Sequence, residues 1–195
     1  PYSTSGLMNY QFEAQVYGKQ IVAANPDAKI GVLYQNDDYG KDYLKGFEDG
    51  LGDKAATMIV ARQSYEVTDP TVDSQMVSLK SSGADTFFNI TTPKFAAQAI
   101  KKAAEIDWKP VHYLNNVSNS VGAVLKQKNL ENAKGIMSGF YHIDPTDPQW
   151  KDNAAFKEWE AWMDKYYPSG DKASTFNVYG YLVAQTMEQV LKQAG

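Results

Sequence analysis

The chain has 195 residues, 43% hydrophobic and 22% charged, enough to bury one packed core and short of a clear two-domain length. A net charge of -4 argues against nucleic acid or an anionic membrane as the main partner, because both select clustered cations. The absence of cysteine excludes disulfides, thiolate metal sites and a cysteine nucleophile, and no apolar run approaches the roughly 20 residues that cross a bilayer.

Tyr10, Ala14, Tyr17 and Ile21 recur at i, i+4, i+7 and predict an amphipathic helix ending near Asn25-Pro26. Lys29 to Tyr34 reads as a short apolar strand. Leu44, Phe47 and Leu51 stripe a second helix that starts near Lys41 and is closed by Gly50 and Gly52. Met58-Ile59-Val60-Ala61 is a second strand. Asp69-Pro70-Thr71 opens a third helix carrying Val72, Met76 and Leu79, with Gly83 after its end. Thr86 to Ile90 is the next strand, and Pro93 opens an alanine-rich helix through Ile106. Val111 to Leu114 is a strand, followed by a short helix around Val121 to Leu125 and a fifth strand over Gly135 to Tyr141. Phe156, Trp159 and Met163 mark another helix, and Phe176 to Gln193 a last one.

Repeated strand–helix alternation predicts an α/β fold: a doubly wound, mostly parallel sheet with helices on both faces. Ligands of such sheets bind beyond the carboxyl ends of the strands. Those ends carry Tyr39, Thr91, Thr92, Asn115 and Asn116, with Phe176 at the start of the last helix. Aromatic walls with a few neutral hydrogen-bonding groups suit holding a small organic molecule. Asp37 and Asp38 lie where strand hands over to helix, and Asp38 is the expected helix cap. His112 lies within a strand and reads as structural, whereas His142 follows a strand end near a possible pocket. No H-E-x-x-H, G-x-S-x-G, Walker or G-x-G-x-x-G pattern is present. The residues predict no enzyme, no metal site and no cofactor. The orphan segment Pro1 to Gly6 and a final helix without a following strand look like cut connections to an absent lobe, and no secretory leader opens at Pro1.

The stretch DAKIGVLYQNDDYGKDYLKGFEDGLG closely resembles the start of the second lobe of periplasmic solute-binding proteins of the leucine/isoleucine/valine-binding type, the type I binding proteins of ABC importers. DTFFNITTPKFAAQAIKKAAEIDWKP, GIMSGFYHIDPTDPQW and STFNVYGYLVAQTMEQVL extend the likeness along the chain. The resemblance implies a two-lobed protein that closes on its ligand, periplasmic or otherwise extracytoplasmic, with membrane subunits of an ABC transporter as partners. It implies a hinge segment at residues 1–9, the second lobe at 10–172, and a crossing segment and helix at 173–195 returning to the missing N-terminal lobe. The family's stacking aromatic falls on Tyr39 and its pocket-lining aromatic on Phe176. A second family tyrosine falls near Thr92, and the acid that pairs with an amino acid's ammonium falls near Asn116; this sequence departs at both. A neutral Asn116 widens the expected ligand from a branched-chain or hydrophobic amino acid to an aromatic or aliphatic carboxylate, unless Asp37 supplies the missing charge. The alternative reading is the sensor domain of a receptor. In isolation, the apolar stripe Val183, Met187 and Val190 is expected to drive a homodimer through the last helix.

Overall fold

The computed structural model describes residues 8–128 and 130–195, so the expected hinge segment lies almost wholly outside the described residues. The elements are α1 (Tyr10–Ala24), β1 (Ile30–Gln35), α2 (Asp38–Leu51), α3 (Ala55–Met58), β2 (Ile59–Tyr65), α4 (Asp73–Ser81), β3 (Thr86–Ile90), α5 (Pro93–Glu105), β4 (Val111–Leu114), β5 (Met137–Ser138), α6 (Ala154–Tyr166) and α7 (Thr175–Ala194). The five strands form one sheet in the order β2-β1-β3-β4-β5, and every pairing is parallel.

Side-chain alternation along the central strands builds a core on each face. Ile30 and Val32 of β1 join Phe88 and Ile90 of β3 in a cluster with α1 and α2 residues Ala14, Tyr17, Ile21 and Phe47. The intervening Leu33 and Phe87 face the other way, onto Met76, Leu79, Phe95 and Ala99 from α4 and α5. β3 is buried along its whole length, as a strand covered on both faces must be. The chain leaves β1 for β2 on one side and returns to β3 on the other, so the winding reverses between β1 and β3. Crevices at such a reversal, outside the carboxyl ends of the strands, are where sheets of this order hold ligands.

Several boundaries move from their sequence-based positions, each for a local reason. Asp37, not Asp38, caps α2: its Oδ1 accepts from the Gly40 N–H at 3.1 Å, and the helix begins at Asp38. Gly50 does not close α2. It lies inside the helix, where a Cβ would come 2.6 Å from the Gln15 carbonyl oxygen of α1. Gly18 and Gly46 serve the same close approach, whereas Gly52, at φ +59, ends the helix. Asp69 turns back to accept from the Glu66 N–H at 2.9 Å, which delays α4 to Asp73. Residues 121–124 form turns before a 3₁₀ segment at Leu125–Lys128. Only Met137 and Ser138 of the expected fifth strand pair with β4.

Candidate functional site

The strand ends of β1, β2, β3 and β4 converge on a hydrogen-bonded floor. Tyr39, on the first turn of α2, packs edge-on against Tyr10 at 5.1 Å and Tyr43 at 5.2 Å between ring centroids. Its hydroxyl donates to Asn115 Oδ1 at 3.1 Å. Burial holds the Tyr39 hydroxyl well above the usual tyrosine range, so it stays a neutral donor. Close packing explains Gly40: a Cβ there would lie 1.9 Å from the Gln35 carbonyl oxygen, which seats the first turn of α2 directly on the end of β1.

Asn115 organises the centre of this floor. It is fully buried, and its Nδ2 donates to the carbonyls of Asn89 at 3.0 Å and Thr91 at 2.8 Å. The Thr91 carbonyl also accepts from Ser118 Oγ at 2.5 Å. The Thr91 side chain is buried too, its hydroxyl given to Asn89 Oδ1 at 2.6 Å. Thr91 therefore holds the loop rather than facing a ligand with its own side chain. Asn89 Nδ2 meets His112 Nε2 at 3.2 Å. Burial pushes the His112 pKa down to about 3, so the imidazole is neutral and structural, as its strand position implied.

Thr92 is half-buried, with its Oγ1 donating to Gln35 Oε1 at 3.1 Å and its N–H to the Tyr65 hydroxyl at 3.0 Å. Gln35 Nε2 donates to Asp37 Oδ2 at 2.6 Å. Asp37 is thereby committed on both oxygens, to the α2 cap and to Gln35, and does not stand free for a ligand cation. Asn116 is buried, its N–H donating to Glu13 Oε1 at 2.8 Å and its Oδ1 accepting from the Tyr141 hydroxyl at 2.8 Å. Phe176 stands apart from this network, 46% exposed on the first turn of α7. His142 follows β5 with its ring stacked on Tyr141 at 5.5 Å, and burial lowers its pKa.

The residue that sequence reasoning missed is Glu13. The residue is 5% exposed, its carboxylate accepts from the Tyr43 hydroxyl at 2.7 Å as well as from Asn116, and burial raises its pKa against the opposing pull of those donors. The signal was present: an acid between Tyr10 and Tyr17, next to Ala14 on the face read as apolar. Tyr10, Gln35, Tyr43, Tyr65 and Tyr141 were also missed, because each joins the site only through the fold. Among the described residues no cluster of His, Asp and Glu is arranged to hold a metal ion, and no helix is long and apolar enough to cross a membrane. The arrangement offers aromatic edges, neutral donors and acceptors, and one buried carboxylate, a chemistry suited to holding an organic solute.

Comparison with known proteins points the same way. The family model described as periplasmic binding protein matches residues 1–195. No curated protein matches the chain. A substrate-binding periplasmic protein from Ralstonia solanacearum is similar in structure, with a TM-score of 0.79, 23% identity, and coverage of 95% of this chain and 51% of that one. A possible leucine/isoleucine/valine-binding protein from Rhodopirellula baltica SH 1 aligns with a TM-score of 0.74 and 19% identity, over 90% of this chain and 47% of that one. A fatty acid ABC transporter substrate-binding protein from Thermomonospora curvata aligns with a TM-score of 0.68 and 19% identity, over 89% and 45%. At these identities the likeness is one of fold, and the chain spans about half the length of the proteins it matches.

Proposed function

Because this chain belongs to the periplasmic binding protein family, we propose that it is the second lobe of an extracytoplasmic solute-binding component of an ABC importer. In this reading residues 1–9 are a hinge crossing, 10–172 the lobe, and 173–195 the helix returning to a first lobe. The solute is a small organic molecule, a branched-chain or hydrophobic amino acid or an aromatic or aliphatic carboxylate, captured between the lobes. Membrane subunits of the transporter then recognise the closed form. The reading assigns the chain no reaction.

The observation that carries the proposal is the floor around Tyr39 at the β1–β3 reversal. Its polar groups are tied to one another rather than aligned as nucleophile, base and oxyanion donors, which favours binding over chemistry. The names of the R. baltica and T. curvata proteins, one for amino acids and one for fatty acids, support a solute of this general kind. The outer face of α7, with Leu182, Val183, Met187, Val190 and Leu191 exposed, supports a covering first lobe. None of the comparisons supports a homodimer through that helix.

A solute closes two lobes only through contacts that differ between open and closed forms. The test is thermal unfolding of the two-lobed protein against amino acids, aromatic acids and fatty acids. A solute at 100 times its Kd adds about 2.7 kcal/mol of stability, which raises Tm by a few degrees. No shift with any member of the panel would count against the proposal.

A further inference from the structure

We propose that the cavity beside Glu13 is a subsite for a protonated amine of the captured solute, with Glu13 as its counter-charge; the assignment rests on the solute-binding reading above. The cavity has a volume of about 190 Å³ and is walled by Met8, Val16, Tyr17, Phe140 and Tyr141, with Glu13 in its lining. It lies next to the Tyr39 floor, because Glu13 Oε1 accepts the Asn116 N–H at 2.8 Å and Tyr141, another wall residue, donates to Asn116 Oδ1 at 2.8 Å.

The chemistry of this corner is unbalanced. Glu13 is 5% exposed, yet among the described residues it forms no ion pair. It accepts from Tyr43 and Asn116, one on each oxygen, and the Tyr17 hydroxyl also interacts with it; the roughly four acceptor positions of a carboxylate leave room for a further donor. A carboxylate taken out of water without a cation either holds a proton or awaits a positive partner. An ammonium donates up to three hydrogen bonds and is attracted to aromatic faces, and Tyr17, Phe140 and Tyr141 bring aromatic rings to the lining. The hydroxyl of Tyr17 is engaged, donating to the Leu114 carbonyl at 3.0 Å and accepting the Gly139 N–H at 2.7 Å. That leaves the carboxylate as the available strong acceptor among these groups. Asp37 is committed elsewhere, and the amide of Asn116 carries no charge to offer.

The test uses the two-lobed protein and calorimetric titration with two matched pairs, L-leucine against 4-methyl-2-oxopentanoate and L-phenylalanine against phenylpyruvate. Wild type should prefer the amine-bearing member of at least one pair by about tenfold or more, the scale of one charge-assisted contact. Glu13→Gln should abolish that preference while leaving the oxo acid's affinity nearly unchanged. Glu13→Asp, which keeps the charge, should retain more of the preference than Glu13→Gln does. Equal weakening of both members by Glu13→Gln, a preference that Glu13→Gln leaves intact, or binding of the oxo acids alone would overturn the subsite. If wild type binds neither member of either pair, the subsite is overturned for these solutes, and the thermal panel described above separately decides whether the solute-binding reading falls with it.

Discussion

Asn115→Asp is the sharpest probe of the site's architecture. The substitution keeps size and shape and keeps the oxygen that accepts the Tyr39 hydroxyl at 3.1 Å. It replaces the NH₂ that donates to Asn89 O at 3.0 Å and Thr91 O at 2.8 Å with an oxygen facing two carbonyl oxygens. An ionised carboxylate there is fully buried and has no cation beside it among the described residues, so the side chain will hold a proton and recover one of the two donor bonds. The lost bond costs about 1 kcal/mol. Holding a carboxyl protonated at pH 7, about three units above its ordinary pKa, costs about 4 kcal/mol more at 1.36 kcal/mol per unit. The variant should therefore be destabilised by about 5 kcal/mol at pH 7 and by about 1 kcal/mol at pH 4. The sign is fixed by linkage: the folded variant binds the extra proton, so its stability falls as pH rises above the unfolded carboxyl pKa. Urea denaturation followed by circular dichroism, as the difference from wild type at each pH, measures this directly, because titrations common to both proteins cancel. A loss below about 1 kcal/mol that does not change with pH would refute the placement of Asn115.

Three further outcomes are expected. Tyr39→Ala should weaken solute binding by about 1–3 kcal/mol in calorimetric titration, and unchanged affinity would remove Tyr39 from the site. Gly46→Ala should destabilise the chain by about 1–3 kcal/mol in spite of alanine's helix preference, because the new Cβ would lie 2.1 Å from the Gln11 carbonyl oxygen; stabilisation in a melt would contradict the α1–α2 contact. His112, with its folded pKa pushed down to about 3, contributes stability that is present above the unfolded pKa and lost as pH falls from about 6.5 toward 3, at up to about 1.4 kcal/mol per unit. Glu13, raised by burial, acts in the opposite sense from its unfolded pKa upward, so urea midpoints of His112→Gln should fall less on acidification than those of wild type.

The fold was legible because each strand repeats one physical pattern. Ile30, Val32 and Leu33, and Phe87 and Phe88, are apolar on both faces, as only a covered parallel strand needs to be. The position of Tyr39 at the carboxyl edge of the sheet was legible as well, because a strand end followed at once by a helix start puts it there. Asp38 misled because a cap is defined by backbone geometry, not composition, and either aspartate has the right side chain. Gly50 read as a stop signal and turned out to be a contact with α1, which no local pattern reveals. Thr91 was placed correctly, but its hydroxyl is spent on Asn89. Glu13 was hidden for a related reason: its partners Tyr43 and Asn116 lie 30 and 103 positions away in sequence. Long-range partnership of this kind is set by the packing of α1 against α2 and β4; the sequence shows an acid on an apolar helix face but not what that acid pairs with.

A small solute is expected to bind at the carboxyl edge of this sheet, around Tyr39. Hydrogen exchange on the two-lobed protein, with and without the solute that most raises its Tm, tests it most directly. Exchange should slow at the strand-end amides of residues 36–40, 91–92, 115–119 and 139–142, and that protection should be lost in Tyr39→Ala. Protection confined to the opposite edge, around residues 29–30, 85–86 and 109–111, would contradict it.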